Sequence, residues 1–217
     1  RDTNEQVGML GLGSKSAFSY TKQYTLTRFD GTEHQEYVCF IDGAGLPTVS
    51  ALPPSPSTEP RGVKITFPVQ QQDIPAFKTA IEKVMLGFDT LPTILNETWA
   101  PQPLTIIMEG PNYKVFQHPS LSGPQVRQGN VLYSLELPKV IPHAGWDLRQ
   151  MDIIIDVPIG TVSVSTSRES LGYDAQTILN LKQAWDKALD HIQSTLQATL
   201  DAVEDFHDAC TKYGELY

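Results

Sequence analysis

Three glycines within six residues, Gly8, Gly11 and Gly13, constrain this chain more than any other feature. They alternate with Met9, Leu10 and Leu12 in the run V-G-M-L-G-L-G-S-K-S-A-F at residues 7–18, and small residues from Ser14 onward then start a helix. Glycine admits positive φ and lets backbone N–H groups approach a ligand closely. Where such a loop opens a helix, the free N–H groups and the positive end of the helix dipole form an anion site. Lys15 adds a mobile positive charge. The structural alternative is a glycine-rich turn packed tightly against a neighbour, and spacing alone leaves both readings open.

The run resembles the glycine box that closes the ATP lid in the GHKL superfamily (gyrase B, heat-shock 90 chaperones, histidine kinases and MutL), whose heat-shock form is I-G-x-F-G-x-G-x-x-S-A-F. The longer string G-L-G-S-K-S-A-F-S-Y-T, residues 11–21, is most similar to the phage rIIA lysis-inhibition family, whose members carry G-x-G-S-K-S-x-F-x-Y-T. The resemblance implies that the backbone N–H groups of Gly8, Met9, Leu10, Gly11, Leu12, Gly13 and Ser14 hold the γ-phosphate of ATP, with Lys15 nearby. ATP and Mg²⁺ are the implied cofactors. The superfamily also places two elements ahead of this box, a helix with Glu and Asn and then an Asp-x-Gly-x-Gly segment. Neither precedes Val7. The expectation is therefore the rear part of a longer ATP-binding protein, with no hydrolysis by this polypeptide alone. Asp42-Gly43-Ala44-Gly45 lies downstream with its glycines offset and reads as a hairpin turn. Where heat-shock relatives have Gly-Thr this chain has Gly62-Val63, so Val63 is not carried over as a nucleotide contact.

A net charge of −9 argues against a nucleic-acid-binding surface, which needs clustered Lys and Arg. Cys39 and Cys210 lie far apart and form no metal or redox motif, which suits two thiols in a reducing compartment. No apolar run approaches the roughly 20 residues of a membrane helix, and no signal peptide opens the chain. A soluble chain is expected.

After the box, alternation predicts strands at 23–29 and 34–41 joined by Asp30-Gly31, then 46–52 after Asp42-Gly43. Four prolines place a surface loop at 53–60, and a strand follows at 62–69. An amphipathic helix is expected at 73–88, with Asp73 as N-cap and Ile74, Phe77, Ile81, Val84 and Met85 on one face. Residues 1–88 thus read as the C-terminal part of a GHKL (Bergerat-type) α/β sandwich, and 89–103, with three prolines, as a linker. Strands are expected at 104–109, 113–116, 130–137 and 152–157, with loops at 119–128 and 138–149. The nearly continuous Ile/Val run at 151–157 predicts a strand buried on both faces. Residues 104–173 form an α+β region that resembles the transducer (middle) domain of the superfamily.

A second matching point lies there. V-S-V-S-T-S-R-E-S-L, residues 162–171, resembles the S-R-E-x-L segment of the heat-shock middle domain and of rIIA-like relatives. In the chaperone that arginine reaches the γ-phosphate, where a guanidinium stabilises developing charge. Arg168 is the implied catalytic or sensing residue; the alternative is a solvated Arg168–Glu169 pair at a helix start. The heat-shock pattern has glutamine where this chain has Gly172.

Residues 174–217 read as one long helix, coiled-coil-like, with Ile178, Leu181, Trp185, Leu189, Ile192, Leu196, Leu200, Val203, Phe206 and Cys210 in a stripe. At ~1.5 Å per residue the helix would run ~55–60 Å. The stripe at 178–210 is expected to pack on another helix, from a second copy or from a missing C-terminal region; the alternative, a helix lying along its own sheet, accounts for the first few turns but not for all of them. The acidic group Asp201, Glu204, Asp205, His207 and Asp208 reads as a solvated face and not as a metal site. Trp99, Trp146 and Trp185 read as core or interface aromatics.

Together these readings give an α+β chain of the phage rIIA-like GHKL type, a nucleotide-gated conformational and dimerisation switch in phage infection or lysis control. The resemblance implies the host cytoplasm and association with the inner face of the host membrane. The alternative is a non-enzymatic phage scaffold or assembly protein that keeps a vestigial glycine box and works through the long helix.

Overall fold

The computed structural model describes residues 12–96, 98–165 and 169–202 and shows a mixed α+β chain with two sheets and a long C-terminal helix. It divides into two compact units between Phe77 and Lys78.

The first unit opens with a 3-10 helix, Leu12–Ser19, and continues through β1 (Gln23–Phe29), β2 (Glu33–Ile41), β3 (Pro47–Ala51), β4 (Ser55–Pro56) and β5 (Gly62–Thr66). The sheet order is β3-β2-β1-β5, all antiparallel, with β4 pairing the start of β2. Each of the first two connections is built on an aspartate followed by glycine. Asp30 Oδ1 accepts the backbone N–H groups of Thr32 at 3.0 Å and Glu33 at 2.9 Å, and Gly31 supplies φ 99°. Asp42 Oδ1 accepts those of Ala44 and Leu46, each at 2.9 Å, and Gly45 supplies φ 81°. The D-G-A-G segment is thus a hairpin turn, as expected. Tyr24 and Cys39 are cross-strand partners and both are buried. The 53–60 loop is less irregular than its prolines suggest, since Pro56 sits on an edge where its missing N–H costs no ladder bond.

β5 stops at Thr66, short of the expected 69, because Pro68 cannot donate to the sheet. The helix expected at 73–88 is shorter: a 3-10 turn Gln71–Asp73, then α1 (Ile74–Met85). Asp73 is the last residue of that turn, and its carboxylate takes the Tyr20 hydroxyl. Ile74, Phe77, Ile81 and Met85 are half-buried, whereas Val84, expected beside them, is 63% exposed.

The second unit carries β6 (Thr105–Gly110), β7 (Tyr113–Gln117), β8 (Gln125–Gln128), β9 (Val131–Ser134), α2 (Leu137–Val140), α3 (Trp146–Gln150), β10 (Ile153–Val157) and α4 (Ala175–Asp201). The sheet order is β6-β7-β10-β8-β9, with β10 parallel to β8 and the other pairs antiparallel. β10 lies in the middle, and Ile153, Ile154 and Ile155 are at most 1% exposed, so the Ile/Val run is buried on both faces as expected. β8 falls where a loop was expected. Its sequence Q-V-R-Q looks polar, but Gln125 and Gln128 are buried and bonded: Gln125 donates to the Ser122 carbonyl, and Gln128 accepts from the Gly160 and Val162 N–H groups. α3 also falls in an expected loop, and the strand expected at 130–137 ends at Ser134 before α2 begins.

α4 covers one face of this sheet. Asp174 caps it, accepting the Thr177 N–H at 3.0 Å. Leu181, Trp185, Ala188 and Ile192 are buried in one core with Ile153, Ile155, Val157, Tyr113 and Val126, and Leu189 and Leu196 pack against it. The helix residues Leu181, Trp185, Leu189, Ile192 and Leu196 belong to the stripe at 178–210. From Leu181 to Leu196 it is taken up by the chain's own sheet; residues 203–217 lie outside the described part.

Trp185 is fully buried, so Trp185→Ala is expected to cost about 3–5 kcal/mol in urea unfolding. A second expectation concerns pH. The N–H groups of Glu33 and Thr32 hold Asp30 down at a pKa of about 2, from an ordinary value of 3.8. A lowered carboxylate pKa gives stability that is fully present above the unfolded value and lost as pH falls through the folded one. Amide protection at Thr32 and Glu33 should therefore fall between about pH 4 and 2, and should not do so in Asp30→Asn.

Candidate functional site

The two sequence-derived segments lie in different units and are described separately. Gly8, Met9, Leu10 and Gly11 lie outside the described residues, as does Arg168. Leu12, Gly13, Ser14 and Lys15 form the first turn of the 3-10 helix Leu12–Ser19. An added Cβ at Gly13 would meet nothing within 4 Å among the described residues, and its φ is not positive. At Gly13, therefore, the tightly packed turn is not what the structure shows; Gly13 and Lys15 are both exposed. Ser16 Oγ donates to the Gly13 carbonyl at 2.8 Å and Ser19 Oγ to the Ser16 carbonyl at 2.7 Å. Both hydroxyls thus serve carbonyls, and neither consumes an N–H at the helix start.

The aromatic half of the motif does different work. Phe18 stacks edge-on against Tyr24 with ring centroids 4.9 Å apart. Tyr20 follows the helix; its hydroxyl donates to Asp73 Oδ2 at 2.7 Å and accepts the Gln70 N–H at 2.9 Å, and its ring meets those of Phe67 and Phe77. The bond to Asp73 raises the Tyr20 pKa. Phe18 and Tyr20 anchor the C-terminal part of the motif. Sequence reading missed this anchoring, although the Phe18-to-Tyr20 spacing within the motif was the available signal.

In the second unit, the described residues on either side of the S-R-E segment pair with each other. Val164 bridges Leu171, Ser165 N–H donates to the Ser170 carbonyl at 2.9 Å, and Gly172 N–H to the Ser163 carbonyl at 2.8 Å. These paired flanks are tied to the cap of α4. Asp174 accepts from the Ser163 hydroxyl and from the N–H and hydroxyl of Thr177. These bonds, the Ser163 hydroxyl first among them, hold the Asp174 carboxyl well below the usual carboxylate range. A Cβ added at Gly172 would collide with Ser163 Oγ.

Among the described residues no group of three or more His, Cys, Asp or Glu side chains is placed to hold a metal ion. Sequence reading also missed a charged group on the other face of the second sheet, Arg127, Asp156, Asp89 and Lys114. Trp185 is core, but Trp146 is 74% exposed. No helix among the described residues is long and apolar enough to cross a membrane.

Gly172→Ala is expected to destabilise the second unit by about 1–3 kcal/mol, by driving the Ser163 hydroxyl off Asp174. In the Ser163→Ala background the same change should cost much less, and thermal melts of the four proteins in that cycle measure the difference. No protein-family model matches this chain, and no curated protein matches it.

Proposed function

We propose that this chain is a GHKL-type ATP-binding protein of the phage rIIA-like kind, a nucleotide-gated conformational switch that acts in phage infection or lysis control. One observation carries the reading: the glycine-rich run opens a helix where a side chain added at Gly13 would meet nothing within 4 Å among the described residues, while Phe18 and Tyr20 pin the far end of the same motif. A glycine at an open, exposed helix start is best accounted for by a ligand whose phosphate must come close to the backbone. The order of the parts supports it too. The box is followed by antiparallel strands and α1, then by a mixed sheet and the paired flanks of the S-R-E segment.

Here Gly8 to Ser14 grip the γ-phosphate, Lys15 adds charge, and Arg168 is the residue that senses it. Mg²⁺ enters on the nucleotide's phosphates. The scaffold reading relied on the apolar stripe of the long helix, and Leu181, Trp185 and Ile192 of that stripe are buried in the chain's own core.

Gly13→Val separates packing from ligand contact. The melting temperature is expected to stay unchanged, because the new side chain has room. Binding of Mg-AMP-PNP, measured by calorimetry, is expected to fall about tenfold or more, the worth of one or two hydrogen bonds to a charged group. Unchanged binding in the variant, or none by the parent chain, contradicts the proposal.

A further inference from the structure

The face of the second sheet opposite α4 carries an anion site that the chain fills with one of its own side chains. Ile154 and Asp156 alternate with Ile153 and Ile155 and so point to that face; Asp156 is the direct cross-strand partner of Arg127 on β8, and Ile154 that of Lys114 on β7. Arg127 is fixed from one side by Asp156, Nε to Oδ1 at 2.5 Å and Nη2 to Oδ2 at 3.1 Å, and only 13% of its side chain is exposed. Its remaining reach goes to Asp89, Nη1 to Oδ1 at 2.6 Å. Lys114 Nζ meets that same oxygen at 3.1 Å. One carboxylate oxygen therefore bridges two cations, while 66% of the Asp89 side chain is exposed. The Arg127 and Lys114 hydrogen bonds lower the Asp89 pKa, as expected of an anion seated in a cationic cradle.

Beside this group is a cavity of about 160 Å³. Leu86, Leu104, Ile106 and Ile154 supply apolar lining, and Asp89, Lys114 and Arg127 are in its wall. A dry cavity of ~150 Å³ is large enough for a benzene ring. The charges set the ligand's valence. Arg127 and Lys114 together carry two positive charges and Asp156 one negative, so departure of Asp89 leaves one positive charge facing the cavity. Asp89 is displaceable in a way that Asp156 is not: it lies just past α1, in the irregular stretch before β6, whereas Asp156 is on the central strand.

We propose that this cavity binds a small organic monocarboxylate with a ring-sized or branched apolar body, and that Asp89 is the built-in competitor for its carboxylate position. The ligand's carboxylate takes the place of the Asp89 oxygen between Arg127 and Lys114, and its apolar part lies against Ile154, Ile106 and Leu104.

The test is a titration of the full chain with benzoate and with 3-methylbutanoate, followed by methyl NMR of Ile154 and Ile106. Asp89→Asn removes the competing charge and is expected to tighten benzoate binding about tenfold, and Lys114→Met to weaken it by a similar factor. Toluene and inorganic phosphate serve as comparison probes and are expected to bind at least about tenfold more weakly than benzoate to Asp89→Asn. The proposal is overturned if neither carboxylate perturbs the two methyls in Asp89→Asn, if Asp89→Asn binds benzoate no better than the parent, or if toluene binds as well as benzoate. Arg127 is left intact because its removal would strand Asp156 beside the buried strand.

Discussion

The burial of β10 on both faces is the constraint from which the second unit follows. Ile153, Ile154 and Ile155 expose at most 1% of their surface, so each side of the strand must be covered. α4 covers one side through Leu181, Trp185, Ala188 and Ile192. Burial of a large side chain contributes roughly 1.5–3 kcal/mol, so a helix holding three such positions, Leu181, Trp185 and Ile192, in its own core is not free to exchange them for a partner. The apolar stripe that in isolation reads as a dimerisation surface is, through Leu196, internal packing. That assignment shifts the functional weight away from the long helix and onto the glycine-rich segment.

That segment is divided in its physics. Its aromatic end is held by an edge-on ring contact and by a hydroxyl that both donates and accepts, to Asp73 and from Gln70. At Gly13 an added side chain would meet nothing within 4 Å among the described residues. In the second unit, Val164–Leu171 pairing and the Ser163–Asp174 bond fix the described flanks of the S-R-E segment beside the cap of α4.

Much of the fold was legible because it is encoded locally. Asp30-Gly31 and Asp42-Gly43 marked their turns through side-chain acceptors and glycine backbone freedom, and the Ile/Val run marked the central strand. What was hidden depends on partners distant in sequence. β8 looked like a loop because its glutamines are polar, and only the N–H groups of Gly160 and Val162 explain the burial of Gln128. The Arg127 group joins residues 38 and 29 positions apart, which no local pattern announces. The helix stripe was read correctly as apolar, but periodicity reports that a face is buried and not against what, and only the contacts show Leu181, Trp185 and Ile192 packed on the chain's own sheet. Within the candidate site, the anchoring role of Tyr20 emerged only from its contacts.

The central claim is that backbone N–H groups of the glycine run bind the terminal phosphate of ATP. Hydrogen exchange of the amides at residues 8–16, followed with Mg-AMP-PNP and with Mg-ADP, tests it most directly. The account predicts slowed exchange across these amides with Mg-AMP-PNP and much less slowing with Mg-ADP, which lacks the γ-phosphate. Equal exchange with and without Mg-AMP-PNP would contradict it.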